Sequence, residues 1–340
     1  MSDKIKYTDL LRNKLLQQKE VYEDFKNNKC SSVRYKSYKH EIYGTQDENY
    51  TNRLRLVYYL FYENIDDEKV IAELFEEELK DRETNSFQGI GSNLEFLTRL
   101  LWKYNSDGKY TPLFKRAKNA NFDCYCGYSF EENISDELYR KIADEFYRES
   151  NIQNNNILKC IYIAQETDYK DVMSELVDLW KETVTDWDNN RKTLIGFNSF
   201  LGREKDNEEI YKQFLALADK EKVFDVTSAY SGIIGYYIGS KDYKNAYKYL
   251  TELLNEYNLD EIKKFRLYDD ILEHGLVIAA NAPEFGKELW SWAKPELKSK
   301  KDGLYGNLYE KSIAAAKAFD DPYSRQLEKD YIAWKKKVGI

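Results

Sequence analysis

The sequence predicts an all-α fold, arranged as a right-handed α-solenoid or curved array of antiparallel helical hairpins. Apolar residues recur at helical spacing, as in Leu54, Val57, Tyr58 and Phe61, which fall on one helix face. Only 4 Pro and 15 Gly occur in 340 residues, which favours long helices joined by short turns. A repeated sequence pattern gives the third indication, and its spacing predicts about 14–16 helices.

The repeat consists of three stretches that align without gaps, residues 167–172, 205–210 and 241–246. The second residue of each stretch is an aspartate that precedes a predicted helix, where its carboxylate can accept a hydrogen bond from a free backbone N–H. Successive aspartates are 38 and 36 residues apart, which matches one helical hairpin per repeat. Apolar residues follow each stretch at core spacing: Leu176, Leu179, Phe214, Leu217, Leu250 and Leu253.

The unit at 227–256 resembles a tetratricopeptide (TPR) repeat. Tyr230, Ile233 and Tyr237 occupy the large-aromatic, leucine and tyrosine positions of the first helix of that family. The second helix carries its small, bulky and medium-sized positions in Ala246, Leu250 and Leu253. A TPR-like hairpin stacks on its neighbours because one hairpin cannot bury its apolar face alone.

The resemblance is close over about 30 residues and looser from about 154 to 336. Ile234 stands where the family usually has glycine, and no proline ends the unit. A HEAT-like hairpin array therefore remains an alternative to a TPR-like one.

Two regions are expected. Residues 1–150 form an N-terminal helical region, with a capping helix around 7–25 and irregular loops; residues 151–340 form the TPR-like region. No sheet is expected, because no stretch alternates apolar and polar residues over a strand's length. Segment 30–50 is interpreted as a polar linker, and 119–133 as the least helical part of the chain.

Charge and composition limit the class of partner. The net charge is −8, so nucleic-acid binding is not expected, whereas a basic protein or peptide partner would be attracted. We expect a cytoplasmic protein without a membrane segment. No stretch approaches the roughly 20 apolar residues that span a bilayer, and the first residues lack the apolar core of a signal peptide. The four cysteines do not form a disulfide framework.

Catalytic motifs are missing from the sequence, so we predict a protein that is not an enzyme and needs no metal or cofactor. His40 and His274 are the only histidines, and we interpret His274 as a packed or hydrogen-bonded residue within a helix. Cys124 and Cys126 lack the second pair of a structural zinc site. The glycine loop at 84–93 lacks the lysine of a phosphate-binding loop. The alternative is an enzyme with an unrecognised site on the 84–133 loops.

An acidic helix is the most prominent charged feature. Segment 63–83 holds ten acidic and three basic residues, which indicates either a solvated helix face or a negative patch that docks a basic partner. Tyrosines on helices could line a concave binding face. The candidate partner-binding residues are Glu76, Glu77, Asp81, Gln88, Asp123, Tyr230 and Tyr237.

These observations together predict a protein- or peptide-binding helical-repeat protein. The most specific hypothesis is an immunity or inhibitor protein that masks a basic toxin or enzyme. A peptide-sensing regulator or scaffold is the alternative within the same class.

Overall fold

The computed structural model describes residues 7–86, 89–130, 156–300 and 303–339, together with Lys141 and Glu145. The described chain is mostly helical, which confirms the predicted all-α class. It divides into two compact units, the first ending at Trp187 and the second beginning at Asp188. The predicted boundary near residue 150 falls among residues outside the described ranges.

The first unit contains nine described helices. They are α1 (Tyr7–Leu15), α2 (Gln18–Lys26), α3 (Tyr50–Tyr62), α4 (Glu68–Thr84), α5 (Ser92–Trp102), α6 (Thr111–Lys118), α7 (Phe122–Gly127), α8 (Ile157–Glu166) and α9 (Lys170–Thr183). The predicted capping helix is thus two short helices. A short helix, α7, also lies in the segment that was expected to be least helical.

Helix α10 (Trp187–Phe200) begins at the division between the units. A 3₁₀ turn (Glu204–Asp206) follows it, and then come α11 (Asn207–Leu217), α12 (Val223–Gly239), α13 (Tyr243–Glu256), α14 (Leu259–Ile262), α15 (Leu267–Asn281), α16 (Pro283–Ser299), α17 (Gly306–Ala318) and α18 (Tyr323–Val338). No described helix of the chain is long and apolar enough to cross a membrane.

A two-stranded antiparallel sheet corrects the expectation that the chain contains no strand. Strands β1 (Ser37–His40) and β2 (Gly44–Asp47) pair in the predicted linker, with Ser37 opposite Asp47 and His40 opposite Gly44. Each strand has only four residues, which is too short for an alternating pattern to be recognised. His40 Nδ1 accepts hydrogen bonds from the backbone N–H groups of Ile42 (3.1 Å) and Tyr43 (3.2 Å), so this histidine shapes the turn.

Six of the described helices end with the same turn. A residue with left-handed backbone follows each helix, and the next N–H donates to the carbonyl five residues back at 2.7–2.9 Å. The left-handed residues are Asn28, Asn64, Asp168, Gly202, Lys241 and Asp320. Glycine and asparagine tolerate this conformation best, so Lys241 is the costliest occupant. Two predicted aspartate caps, Asp168 and Asp206, make no capping bond, whereas the Asp242 carboxylate accepts from the Asn245 N–H at 3.1 Å.

Replacing Lys241 with glycine should therefore stabilise the protein. Relief of the left-handed strain should raise the free energy of unfolding by about 0.5–1 kcal/mol, after allowance for the entropy of glycine in the unfolded chain. Lys248→Gly makes the same chemical change inside α13 and should cost about 1 kcal/mol. Urea unfolding followed by circular dichroism measures both. A destabilising Lys241→Gly change would contradict this account of the turn.

The core of the second unit is built around α12. Its apolar stripe consists of Val226, Tyr230, Ile233, Ile234 and Tyr237, all buried. This stripe packs with α13 and α15, and the contacts continue from α15 to α16 and α17. The approach of α15 to α16 requires Gly286, where an added Cβ would lie 2.6 Å from the carbonyl oxygen of Ala279. The residues predicted as the core face of the 227–256 unit are all buried.

The core of the first unit contains a buried ionic network. Arg53 on α3 is fully buried, and its guanidinium lies 2.8 Å from Asp47 at the end of β2 and 2.7 Å from Glu78 on α4. Arg82 binds the other oxygen of Glu78 at 3.1 Å and also contacts Asp81. Burial raises the pKa of the Glu78 carboxyl. The network fastens the small sheet and two helices to one another.

Loss of Arg53 should be much more damaging than loss of a surface arginine. Arg53→Ala leaves buried carboxylates without their cation and should cost at least about 3 kcal/mol in free energy of unfolding. Arg116 also bridges two carboxylates, Glu76 and Glu83, but it is exposed. Arg116→Ala should cost no more than about 1 kcal/mol. Equal losses in urea unfolding would show that burial does not set the strength of the Arg53 network.

Candidate functional site

The acidic helix α4 is largely neutralised by neighbouring cations. Arg116 Nη1 donates to Glu76 at 2.7 Å, and its Nε and Nη2 donate to Glu83 at 2.5 and 2.8 Å. Lys109 Nζ donates to Glu68 at 2.7 Å. These pairs offset much of the negative charge that the sequence suggests, although Glu76 itself remains half exposed.

Two of the predicted partner-binding residues on α4 face inward, which corrects their assignment to a surface. Asp81 is fully buried in the Arg53 network. Glu77 is 6% exposed, accepts the backbone N–H of Tyr35 at 2.8 Å and pairs with Lys80. Their carboxylates serve the internal structure, because a buried charge needs a partner within the fold.

A cavity of about 500 Å³ lies beside α4. Its lining includes Arg34 and Lys109 as well as Glu73 and Glu76, with Tyr110 at one side. Because cations and carboxylates line it together, the cavity has no clear preference for a ligand of either sign.

The 84–133 loops offer little support for a reactive centre. Gln88 lies outside the described residues, and Asp123 is exposed on α7. The Cys124 thiol is buried 3.6 Å from the Gly89 carbonyl oxygen, whereas Cys126 is exposed. Burial raises the pKa of the Cys124 thiol, which lowers its thiolate fraction. Within the described chain, no three His, Cys, Asp or Glu side chains come together as a metal site would require.

Tyr230 and Tyr237 are largely buried, although Tyr230 also lines a cavity of about 440 Å³ together with Tyr249 and Tyr257. Tyr230 is 6% and Tyr237 4% exposed. The Tyr237 hydroxyl donates to Glu208 at 2.9 Å, and its ring stacks on Tyr249 with centroids 5.6 Å apart. Both rings belong to the core stripe of α12. The adjacent Tyr236 is instead half buried and lines a cavity.

The face of α12 opposite its core stripe lines two adjoining cavities of about 700 and 510 Å³. The cavities share Tyr211 and Gly232, so they form one depression, which we name the α12 groove. Small or short residues make up most of the helix face that lines it: Asp225, Ser228, Ala229, Ser231, Gly232, Gly235 and Gly239. Rings from neighbouring helices cover part of this face: a Cβ added at Gly232 would lie 3.2 Å from Tyr211 and one at Gly235 would lie 3.5 Å from His274, whereas Gly239 is open.

One end of the groove, which we name the apolar end, lies between α10, α11 and α12. Ile195, Phe214, Leu217 and Phe224 line it, with Leu217 61% and Phe224 49% exposed. Charged side chains lie at its border, namely Asp188, Arg191, Lys192, Asp219 and Asp225. The ring of Phe224 meets Phe265 edge-on at 5.3 Å between centroids. The expectation that Phe214 and Leu217 belong to the core is therefore wrong.

The position of α10 explains why these side chains stay uncovered. Asn198 Nδ2 of α10 donates to Asn207 Oδ1 of α11 at 2.8 Å, and Asn207 Nδ2 donates to the Ile195 carbonyl at 3.3 Å. These amide contacts join the two helices near the connecting turn. The far end of α11, which carries Phe214 and Leu217, is left lining the cavity.

The other end, which we name the acidic end, lies between α12 and α15. Glu204, Asp270 and Glu273 line it together with a hydrogen-bonded pair, Ser231 Oγ and His274 Nε2, which are 3.2 Å apart. This contact confirms the prediction of a hydrogen-bonded His274. Burial lowers the pKa of His274 to about 4, and the nearby charge of Lys311 acts in the same direction. The imidazole is therefore neutral at pH 7.

The sequence carried a signal for this groove that was not recognised. Ser228, Gly232, Gly235 and Gly239 recur at intervals of three or four residues, so they mark one helix face that lacks bulky side chains. The hydrophobic periodicity of α12 is dominated by the apolar residues of its core stripe, so the pattern of small residues on the opposite face is less apparent. The flanking α11 and α15 could be placed only by the tertiary structure.

No family model, curated protein or solved structure matches this chain. The geometry of the α12 groove is therefore the observation on which a functional proposal can rest.

His274 should make stability depend on pH. Because its folded pKa of about 4 lies below the ordinary 6.5, the unfolded chain binds a proton between these values that the folded chain does not. Stability should fall as pH falls through this window, by on the order of 1–2 kcal/mol between pH 7 and 5. The nearby Asp270, Glu273 and Lys311 are common to the wild type and to His274→Gln. Urea unfolding at pH 7 and pH 5 should therefore show a smaller loss of stability in His274→Gln than in the wild type. An identical loss in both proteins would refute the assignment of this pH dependence to His274.

Proposed function

We propose that this chain binds a segment of another protein in the α12 groove. The single observation that carries the proposal is the pair of adjoining cavities along the glycine- and serine-rich face of α12. A bound chain can occupy the space that these small side chains leave beside the rings of Tyr211 and His274. Its backbone could also bond to the polar groups of the groove.

The exposed apolar residues support the same proposal. Leu217, Phe224 and Phe265 are 61%, 49% and 37% exposed and lie at or beside the apolar end. Covering such side chains removes apolar surface from water, which is favourable by about 25 cal/mol per Å². A cluster of exposed large apolar residues is typical of an interaction site.

The succession of hairpins in the second unit supports a TPR-like solenoid. Helices α12, α15 and α17 each pair with the helix that follows, and α15 also packs on both α12 and α17. Stacked hairpins of this kind present their first helices side by side, and that surface is suited to a peptide. We propose that the groove is part of such a surface.

The narrower hypothesis is an immunity or inhibitor protein that masks a basic toxin or enzyme. This hypothesis is supported by the net charge of −8 and by the acidic end of the groove. The acidic helix α4 supports it less, because most of its carboxylates form ion pairs within the protein. A peptide-sensing regulator or scaffold would use the same groove. Capture of a basic toxin or enzyme encoded beside this gene would favour the first hypothesis, and binding of short peptides alone would favour the second.

Selection from a library of random 12-residue peptides displayed on phage would test the proposed function. Peptides that bind the wild type should bind the double variant Leu217→Ser, Phe224→Ser at least about tenfold more weakly, because the apolar end loses its contact surface. The matched control is Ile332→Ser, Val338→Ser, which changes two equally exposed apolar residues of α18 away from the groove. Fluorescence anisotropy measures each Kd. Equal weakening by both variants, or no selected peptide, would contradict the proposal.

A further inference from the structure

We infer that the α12 groove selects a segment in which a lysine or arginine side chain enters the acidic end while a neighbouring bulky apolar side chain enters the apolar end. This inference rests on the proposed function, and it specifies the chemistry of the partner.

Charge at the acidic end favours a cation. Glu204 and Asp270 are exposed, and neither carboxylate forms an ion pair or hydrogen bond within the described chain. Glu273 differs, because Lys311 and the Tyr305 hydroxyl already bind it. None of the described residues that line this cavity is lysine or arginine. Neither carboxylate is in an ion pair, although the charges of Arg266 and Lys311 act on Asp270 from nearby, and a guanidinium or ammonium group would complement both carboxylates.

Two aromatic rings strengthen that preference. Tyr211 and Tyr236 both line the acidic end, with ring centroids 5.5 Å apart and planes tilted by 35°. The face of a tyrosine ring attracts a cation within about 6 Å. An aliphatic stem of lysine or arginine would also pack against these rings while its charged end reaches Asp270 or Glu204.

The Ser231–His274 pair adds polar groups that do not oppose a cation. Its neutral imidazole carries no positive charge at pH 7, so it does not repel a lysine or arginine. The ring lies close to the helix backbone, since a Cβ added at Gly235 would be 3.5 Å from His274 Cε1. A hydroxyl and an imidazole in this position can bond to the main chain of the bound segment.

The two ends belong to one recognition surface because they share Tyr211 and Gly232. A segment that places a basic side chain at the acidic end therefore passes directly beside the apolar end. This adjacency couples the two preferences: the partner should carry a basic residue close in sequence to a large apolar one. An acidic side chain at the acidic end would be repelled by Glu204 and Asp270, whereas Arg191 and Lys192 line the adjoining cavity.

The first experiment compares peptide pools. Random 12-residue peptides displayed on phage are selected against the full wild-type chain and against the variant Glu204→Gln, Asp270→Asn, and both pools are sequenced. The wild-type pool should be enriched in lysine and arginine beside leucine or aromatic residues. The variant pool should keep the apolar enrichment and lose the basic one.

The second experiment measures the coupling directly. For the best wild-type peptide, Glu204→Gln and Asp270→Asn should each raise Kd about 5–20-fold. Glu209→Gln and Glu284→Gln remove the same charge from first helical turns of the same unit, outside the groove, and should change Kd less than twofold. Replacing the basic residue of the peptide with norleucine or citrulline should weaken binding to the wild type, but hardly affect binding to the Glu204→Gln, Asp270→Asn variant. Circular dichroism verifies that each variant is folded.

The outcomes separate the two proposals. Selected peptides that bind the groove without basic residues, or with acidic ones, would overturn this inference and leave the proposed function standing. Equal effects of the groove and control glutamine variants would overturn it as well, because bulk charge alone would then explain the preference. Selection of no peptide by the wild type would overturn the proposed function itself, and the inference with it.

Discussion

Burial of the apolar stripe of α12 is the constraint on which the second unit depends. Tyr230, Ile233 and Tyr237 turn one face of this helix into the core, where α13 and α15 cover it. Because one face of α12 is packed against the core, the residues of its opposite face necessarily point away from that core. The other face carries glycines and serines and lines two cavities, with the rings of Tyr211 and His274 packed against part of it. The groove is thus a direct consequence of how the core is packed.

The first unit depends on a different interaction. Arg53 is fully buried between strand β2 and helix α4, where carboxylates outnumber guanidinium groups. Such a network is costly to assemble because every charge must leave water, and it holds together only if each charge keeps a partner. It also draws Asp81 and Glu78 inward. An acidic helix thereby becomes a structural element, and less of its charge remains for a partner.

This contrast separates the two acidic surfaces of the protein. On α4 most carboxylates have cations within ion-pair distance, and they contribute little external field. At the acidic end of the α12 groove, Glu204 and Asp270 have no such partner among the described residues. Local pairing, and not the number of acidic residues, therefore decides where a cation would be attracted.

The sequence by itself determined the helical class and the core face of α12, because these follow from local periodicity and from the scarcity of proline and glycine. It also indicated a hydrogen-bonded His274 and the helix starts after Asp168, Asp206 and Asp242. The sequence did not predict the two strands, because four residues are too short to show an alternating pattern. It also did not predict the burial of Asp81, which lies in a network organised by Arg53 of another helix.

Only the tertiary structure decided which surface is open. Phe214 and Leu217 have core spacing, yet they line the groove because the amide contacts of Asn198 and Asn207 join α10 to α11 near the turn. Periodicity reports which residues share a helix face, but burial depends on whether a second element covers that face. The covering element is set by packing between residues distant in sequence, and no local pattern encodes it.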